Sequence, residues 1–269
     1  MAVAQHVSSL AELDLQKQGW EPLPSRDHIL IALAQNVVLR LGARRCMISL
    51  IDENHQYVLG EATKSHSSIH PNGAPGDEIW LGSAILARPD AVCENCLDSQ
   101  CTPNDRQDIL AEGMIVDDCR QDSRFAHRPY VVQEEGIRVR FYAGVPLISR
   151  NGYKVGVLAV TDEHPKAGLS ADDLVYMQDM ARCAMTHLEW ARDRVDRFKG
   201  ERVVRGMATF IEEATSLRAQ PSGKPGGRRP TPRRSNSWRR IPRRASRGDS
   251  DDMYTLASDI LRDSTLADG

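Results

Sequence analysis

Three cysteines stand close together in the middle of the chain, at Cys93, Cys96 and Cys101. Thiolates at this spacing could bind zinc, with Cys119 or His127 as a fourth ligand, or could exchange disulfides. A zinc module normally shows two clean ligand pairs, and the second pair is missing here. We therefore expect ordinary reduced thiols and no metal site, because six cysteines in 269 residues are also too sparse for a disulfide scaffold.

A second candidate for chemistry is an acidic cluster formed by Asp117, Asp118 and Asp122, with Arg124 two residues further on. Such carboxylates could act as a general acid and base in a cleft. Polar loops of this density more often satisfy their own backbone and one another. Because the sequence has no nucleophile elbow, phosphate-binding glycine loop or metal-binding helix motif, we expect no catalytic residues.

His187, in the segment THLEWAR, resembles a phosphoacceptor histidine because an acidic residue follows it within a helical pattern. The kinase motif has His, acid, apolar, Arg, small and Pro in immediate order, and this segment has no proline. Glycine-rich nucleotide-binding boxes do not follow it either. We interpret His187 as a partly exposed helical histidine and expect that the chain is not an enzyme.

Composition is ordinary for a soluble protein, with 41% hydrophobic and 27% charged residues. No apolar run approaches the roughly 18 to 20 residues that span a bilayer, so we expect a cytoplasmic protein without a membrane partner. The net charge of −2 conceals a strong asymmetry. Residues 218–247 carry ten arginines, one lysine and no acid, which leaves −13 on the remainder. The asymmetry indicates separate segments.

The strongest structural pattern runs over residues 138–162, where two strand-like runs flank Asn151-Gly152. This pattern predicts a hairpin with one face on a core. Pro146 predicts a bulge or an edge-like position, and Gly144 and Gly156 would allow close backbone approach beside a pocket. The residues predicted to share a face are, in the first arm, Val139, Phe141, Ala143, Val145 and Leu147, and in the second, Val155, Val157, Ala159 and Thr161.

Upstream, helical spacing begins after Ser25 or Asp27 as the cap and ends at Gly42. Strand runs at 46–52 and 56–63 predict another hairpin. An exposed loop at 64–77, a short helix within 93–110 and a strand at 114–118 complete this part. The predicted order is helix, hairpin, hairpin, helix.

A long helix is predicted after a capping Ser170. Its apolar residues repeat every three or four positions, which is typical of a helix that packs on its own domain and on a partner helix. We expect a homodimer through residues 174–198, with burial inside the same chain as the alternative. After Gly200 the apolar positions shift by one residue, so a bend or break is expected there. The repeating residues are Leu174, Met177, Ala181, Ala184, Leu188, Ala191, Val195 and Phe198.

Residues 218–250 are rich in Arg, Pro, Ser and Gly and are expected to form a disordered linker. The linker could be a solvated spacer, a regulated docking segment or a polyanion binder, and without a folded reader of bases we expect no specific nucleic-acid binding. Ser246, Ser237 and Thr231 are phosphorylation candidates, because the serines follow arginines and the threonine precedes a proline. Residues 251–269 regain helical spacing.

Three segments carry a resemblance to a known family: FYAGVPL at 141–147, VGVLAVTDEHP at 155–165 and MIVDDCRQDSRF at 114–125. They resemble the closing half of a GAF domain, and specifically the amino-terminal GAF region of fungal hybrid sensor histidine kinases and their truncated relatives. The resemblance implies an α+β fold with an antiparallel sheet flanked by helices and a long C-terminal signalling helix. It also implies a sensory module of a two-component signalling protein that binds a small ligand, whose identity stays unknown.

The resemblance gives an organisation and a set of pocket candidates. Residues 1–24 would be a flexible lead-in, 25–217 the GAF-like domain, 218–250 the linker and 251–269 the stub of a second GAF-like module. The pocket would lie between the sheet and the loops of residues 64–128, with candidates Asp118, Tyr142, Cys93 and Arg140.

Two other functions stay open. One is an enzyme similar to free methionine sulfoxide reductases, which are GAF domains with reactive cysteines, although their pattern of resolving cysteines is not found here. The other is a dimerisation scaffold with a vestigial pocket. The signature of cyclic-nucleotide-binding GAF domains is absent from the sequence, and bilin attachment has no support.

Overall fold

The computed structural model describes residues 5–7, 21–66, 73–98, 101–103, 109–111, 113–134 and 137–218. The predicted linker beyond residue 218 and the helix predicted at 251–269 lie outside these residues. Ser246, Ser237 and Thr231 lie there too, so their phosphorylation stays a prediction.

Seven strands form the main sheet in the order β1-β4-β3-β2-β9-β8-β7. Six of them are joined by antiparallel pairs, and β1 adds to the edge in parallel with β4. The short β5 and β6 form a separate antiparallel pair. The strands are β1 (Gln5–Val7), β2 (Arg45–Ile51), β3 (His55–Thr63), β4 (Ala84–Ala87), β5 (Cys101–Pro103), β6 (Ile109–Ala111), β7 (Met114–Val116), β8 (Phe141–Ile148) and β9 (Lys154–Asp162).

The described helices are α1 (His28–Leu41), α2 (Glu94–Leu97), α3 (Pro129–Val132) and α4 (Ala171–Arg218), with a 3-10 turn at Arg88–Asp90. Two of them cover one face of the sheet, which we call the helix face. These are α1 and α4, which pack on the sheet and on each other. The opposite face, which we call the loop face, is covered by the segments 79–83, 88–98 and 117–139, which include α2 and α3.

The first helix forms where its capping residues predict it. The Asp27 carboxylate accepts hydrogen bonds from the backbone N–H groups of Ile29 and Leu30, both at 3.0 Å. These bonds satisfy donors that the first turn leaves without helical partners. Gly42 ends the helix in the left-handed conformation.

The central hairpin is β8 and β9, joined through Asn151 and Gly152 as the sequence predicts. Gly152 adopts a φ of 86°, which a residue with a Cβ atom rarely tolerates. One part of the predicted face is wrong. The pairing shifts between Leu147 and Ile148, so that Val155 lies on the helix face while Val157 and Ala159 lie on the loop face. A β-bulge of this kind reverses the alternation, and period-two counting cannot detect it.

Val139, which precedes β8, also lies on the loop face, while Phe141, Ala143, Val145 and Leu147 share the helix face as predicted. The sheet has two covered faces and not one, since β2, β8 and β9 are almost entirely buried. Pro146 lies beyond Gly144, which is the last β8 residue paired with β7. The proline is thus at an edge of the ladder, one residue before the bulge.

The long helix α4 spans 48 residues and is continuous through Gly200, so the expected break is absent. A single glycine costs a helix only about 1 kcal/mol relative to alanine. The first half of the predicted repeat, Met177, Ala181, Ala184 and Leu188, is buried against the helix face of its own chain. None of the described helices is long and apolar enough to cross a membrane.

Candidate ligand site on the loop face

Buried polar side chains gather on the loop face. Alternation along the strands places Arg45, Ser49, Gln56, Glu61 and Thr161 on this side, and each is at most 2% exposed. Buried polar groups cost free energy unless they find partners, so such a cluster needs a structural or functional reason.

The Glu61 carboxylate has such a reason. It accepts hydrogen bonds from three consecutive backbone N–H groups, at 2.7 Å from Trp80, 2.8 Å from Leu81 and 2.7 Å from Gly82. The Arg45 guanidinium lies 3.8 Å away, and it also donates to Glu163 at 3.3 Å. Burial lowers the pKa of Arg45, and the two carboxylates oppose that shift. Glu61 therefore anchors the segment that covers the loop face to β3.

A cavity of about 20 Å³ lies beside this anchor. That volume is room for about one water molecule. The sheet contributes Met47, Gln56, Tyr142 and Thr161 to its wall. The sheet also contributes Leu86 of β4, and the covering segments contribute Trp80, Leu81, residues 91–93, Tyr130 and Val139.

Tyr142 is the central polar residue of this cavity and is fully buried. Its ring stacks on Phe125 with centroids 6.5 Å apart. Its hydroxyl lies beside the thiol of Cys93 without a hydrogen bond of good geometry. Burial, followed by this thiol, raises the pKa of Tyr142 well above 10. A Cβ atom at Gly144 would lie 2.5 Å from the Tyr142 hydroxyl oxygen, so the glycine allows the ring to occupy this position.

The buried cysteines are poorly suited to nucleophilic chemistry. Burial raises the pKa of Cys93, and it raises the pKa of Cys96 and of Cys119 to about 12. Thiols react as thiolates, so these three cysteines are poor nucleophiles at neutral pH. In the part of the chain that the structure describes, no group of three or more His, Cys, Asp and Glu side chains is arranged to hold a metal ion.

Asp118 and Arg140 do not line the cavity. They form a bidentate pair with each other, with N–O distances of 2.9 and 2.7 Å. This pair fixes the start of the segment 117–134 to the residue before β8. The hydrogen bond from Arg140 lowers the pKa of Asp118.

Further contacts hold the same segment in place. The Arg120 guanidinium donates to the carbonyl oxygens of Val131 and Val132, and Arg128 donates to the Pro89 carbonyl oxygen at 2.8 Å. The last contact joins the two segments that cover the cavity. We call the two segments the cover of the cavity, and these hydrogen bonds hold the cover in place.

The remaining sequence candidates have structural partners. Asp122 pairs with Arg124 at 2.6 Å, and the Asp117 carbonyl accepts from the Lys166 amide at 3.1 Å. His187 lies on α4 with its Nε2 atom 2.9 Å from the capping carboxylate of Asp27. This contact ties the long helix to the start of α1.

Comparison with known proteins identifies the family. A sequence profile of the GAF domain matches residues 25–188, which is more than half of the chain. The chain belongs to the GAF family. Its open antiparallel sheet with flanking helices is the GAF fold, and GAF domains are sensory domains in histidine kinases and phosphodiesterases. The resemblance noted from the sequence is thereby confirmed at the level of the domain.

A cyclic di-GMP phosphodiesterase of Pseudomonas aeruginosa is 34% identical over 116 residues, which is 43% of this chain and 19% of the relative. The match thus spans about a fifth of that protein. A GAF domain of a Coxiella burnetii phosphoenolpyruvate-protein phosphotransferase is 14% identical with a TM-score of 0.44, covering 70% of this chain and 94% of that one. A domain from Sinorhizobium meliloti, described as a two-component sensor histidine kinase, is 14% identical with a TM-score of 0.38, covering 62% and 92%.

Of the four pocket candidates, the GAF domain places Tyr142 and Cys93 in the cavity wall and Asp118 and Arg140 in its cover. Sequence reasoning did not single out Gln56 and Thr161, which also line the cavity. Both are polar residues in strands that are mostly apolar, and this sequence pattern could have identified them as candidates. Arg45 and Glu61 show the same pattern.

Proposed function

We propose that this GAF domain is the sensory module of a two-component signalling protein, similar to the amino-terminal GAF region of fungal hybrid kinases. It binds a small molecule on the loop face and relays binding through α4. The matched segment is about a fifth of the bacterial phosphodiesterase, so there a GAF segment is one part of a longer enzyme. A regulatory role in this chain is in keeping with that arrangement.

One observation carries the proposal: strand β8 lies between the cavity and the long helix. Tyr142 lines the cavity, while its neighbours Phe141 and Ala143 point to the opposite face. There they belong to the core that also contains Met177 and Leu188 of α4. Close-packed interiors transmit displacement, so a shift of Tyr142 reaches α4 through a single strand.

The helix is long enough to carry the response outward. Arg150 donates to Asp193 at 2.6 Å, and from there α4 continues to Arg218. At 1.5 Å per residue this continuation is about 38 Å long. A small rotation of α4 at the domain therefore displaces its far end.

We also propose that α4 pairs with a second copy, but through other residues than the buried repeat. Leu188 is buried in its own domain, so a charged substitution there unfolds the domain and does not test association. Trp190 is 72% exposed, Phe198 61% and Val204 68%. These three apolar side chains are the better candidates for the contact.

Sedimentation of the full chain tests the pairing. We expect a dimer that becomes a monomer in Trp190→Ser/Phe198→Ser with unchanged circular dichroism. Val175→Ser, an exposed α4 residue beside the domain, is the matched control and should stay dimeric. A monomeric wild type, or a double variant that stays dimeric, would overturn this contact.

A scaffold without a ligand is the second candidate, and the small volume of the cavity favours it. Gly144→Ala separates the two functions, because its new methyl group displaces Tyr142 without touching α4. If β8 relays the displacement, amide exchange in residues 177–188 should change severalfold. Val132→Ala, an exposed substitution in the cover, is the control. Unchanged exchange in α4 would favour the scaffold.

A further inference from the structure

Two parts of the cover close the cavity. The first part consists of residues 79–83 and 88–98, and the second part of residues 117–134. Trp80 of the first part and Tyr130 of the second meet edge to face, with ring centroids 5.8 Å apart, and both are buried. We call the line along which the two parts meet the seam. Because the cavity has room for about one water molecule, a larger ligand enters only if the cover moves.

The first part is anchored to the sheet at several points. The buried Glu61 carboxylate accepts from three consecutive backbone N–H groups of this part. Arg88 donates to the Asp52 carbonyl oxygen at 3.0 Å, and Lys154 of β9 donates to the Leu97 carbonyl oxygen at 2.9 Å. These contacts lie near both ends of the first part, so they hold it against the sheet.

The second part is attached in a different way. The Asp118 carboxylate forms its bidentate pair with Arg140, and the Val139 backbone N–H donates to the Tyr130 carbonyl oxygen at 2.9 Å. These two attachments lead to adjacent residues just before β8. Adjacent attachment points allow rotation about them, so they act as a hinge.

The polar contact across the seam is weaker than these anchors. Arg128 donates to the Pro89 carbonyl oxygen at 2.8 Å at an exposed position, where water competes for both groups. By contrast, the Glu61 carboxylate is fully buried, and separating it from its donors would leave an unpaired buried charge. The cover is therefore expected to part at the seam before the first part leaves the sheet.

We infer that the seam is the entrance to the cavity. It parts at the Arg128–Pro89 contact when the second part turns about its attachments to Val139 and Arg140, while the first part stays on the sheet. A ligand larger than one water molecule then holds the seam apart. The inference rests on the proposed sensory function and specifies the movement that admits the ligand.

This movement reaches the strand that relays binding in the proposed function. Phe125 belongs to the second part and stacks on Tyr142 of β8, with ring centroids 6.5 Å apart. Opening of the seam thus changes the packing on Tyr142.

Native cysteines report the opening of the seam. Cys93 lines the cavity, Cys46 lies in the helix-face core, and Cys183 is exposed on α4. Reaction of the full chain with methyl methanethiosulfonate, followed by mass spectrometry of its peptides, gives each labelling rate. Each rate is divided by that of the same cysteine in the denatured chain. We expect Cys183 to react at once, and Cys93 to react about tenfold faster than Cys46, which needs global unfolding.

Two arginine variants distinguish opening of the seam from unfolding. Arg128→Ala removes a contact that is broken in the open and in the unfolded state, so the rates of Cys93 and Cys46 should both rise about fivefold. Arg120→Ala is the matched control, because Arg120 donates to two carbonyl oxygens within the second part. Those bonds survive opening and are lost on unfolding, so this variant should speed Cys46 and leave Cys93 unchanged.

Three results would each overturn the inference: equal corrected rates for Cys93 and Cys46 in the wild type, an unchanged Cys93 rate in Arg128→Ala, or an Arg120→Ala variant that speeds Cys93 as much as Cys46. The proposed function fails separately. If amide exchange in α4 does not respond to Gly144→Ala, the relay fails, whereas the seam stands on the thiol rates, which depend on neither a ligand nor the relay.

Discussion

The two faces of the central sheet bury different kinds of side chain. On the helix face, Ile48, Leu50, Phe141 and Leu158 pack against α1 and α4 in an apolar core. On the loop face the same strands present buried Arg45, Glu61, Gln56 and Thr161. The hydrophobic effect is non-directional, whereas buried polar groups are costly unless they have hydrogen-bond partners.

The difference assigns a role to each face. The helix face supplies stability and holds α4. On the loop face some polar groups are matched internally, above all the Glu61 carboxylate with its three backbone amides, and others have no hydrogen-bond partner. Under the proposed function, stability and ligand recognition lie on opposite faces of one sheet.

The largest expected effect comes from the matched polar group. Glu61→Ala leaves the Arg45 charge and three backbone donors without their partner, so the free energy of unfolding should fall by about 3 to 5 kcal/mol. Guanidinium denaturation measures this loss. Glu163→Ala, which removes the partly exposed partner of Arg45, should cost much less. A loss below about 1 kcal/mol for Glu61→Ala would refute the anchoring role, because a merely solvated carboxylate behaves in that way.

Truncation on the helix face should cost nearly as much. Leu188→Ala leaves a cavity in the apolar core, and we expect a loss of about 3 kcal/mol in the free energy of unfolding. Val175→Ala, an exposed α4 substitution outside the proposed contact with a second copy, should change it by less than about 1 kcal/mol. If both substitutions cost the same, the division between the buried and exposed sides of α4 is wrong.

Acid should loosen the cover of the loop face. The pKa of Asp118 is lowered below 3.8 by the hydrogen bond from Arg140, so the folded state binds this proton less readily than the unfolded state. The stabilisation is fully present above about pH 5 and is lost as the pH falls through the lowered pKa. The melting temperatures of the wild type and of Asp118→Asn should differ at pH 7 and converge at about pH 2. If the two melting temperatures differ by the same amount across this pH range, the Asp118–Arg140 pair does not stabilise the fold as an ion pair.

Much of the fold follows from local signals in the sequence. The caps at Asp27 and Ser170 and the Asn151-Gly152 turn act within a few residues, so they can be read directly. The bulge that turns Val155 to the other face cannot be predicted in this way, because it depends on the register between neighbouring strands. The buried repeat of α4 likewise has the same periodicity whether its partner is its own domain or another chain.

The cavity could be predicted only in outline. The resemblance implied a pocket between the sheet and the loops, and a small cavity lined by Tyr142 and Cys93 lies there, while its use as a ligand pocket stays a prediction. Asp118 and Arg140 lie nearby in sequence and in space, but their charges satisfy each other. Which polar groups are paired and which stay open is a property of side-chain geometry, and sequence spacing does not encode it.

Two identical substitutions compare the faces most directly. Tyr57 lies in the helix-face core with its hydroxyl bonded to Asp52, whereas Tyr142 lies in the cavity with its hydroxyl open. In chemical denaturation of the ligand-free chain, Tyr57→Phe should lower the free energy of unfolding by about 1 kcal/mol, and Tyr142→Phe should raise it by about the same amount. A loss in both variants would contradict the claim that the loop face keeps unsatisfied polar groups for a ligand.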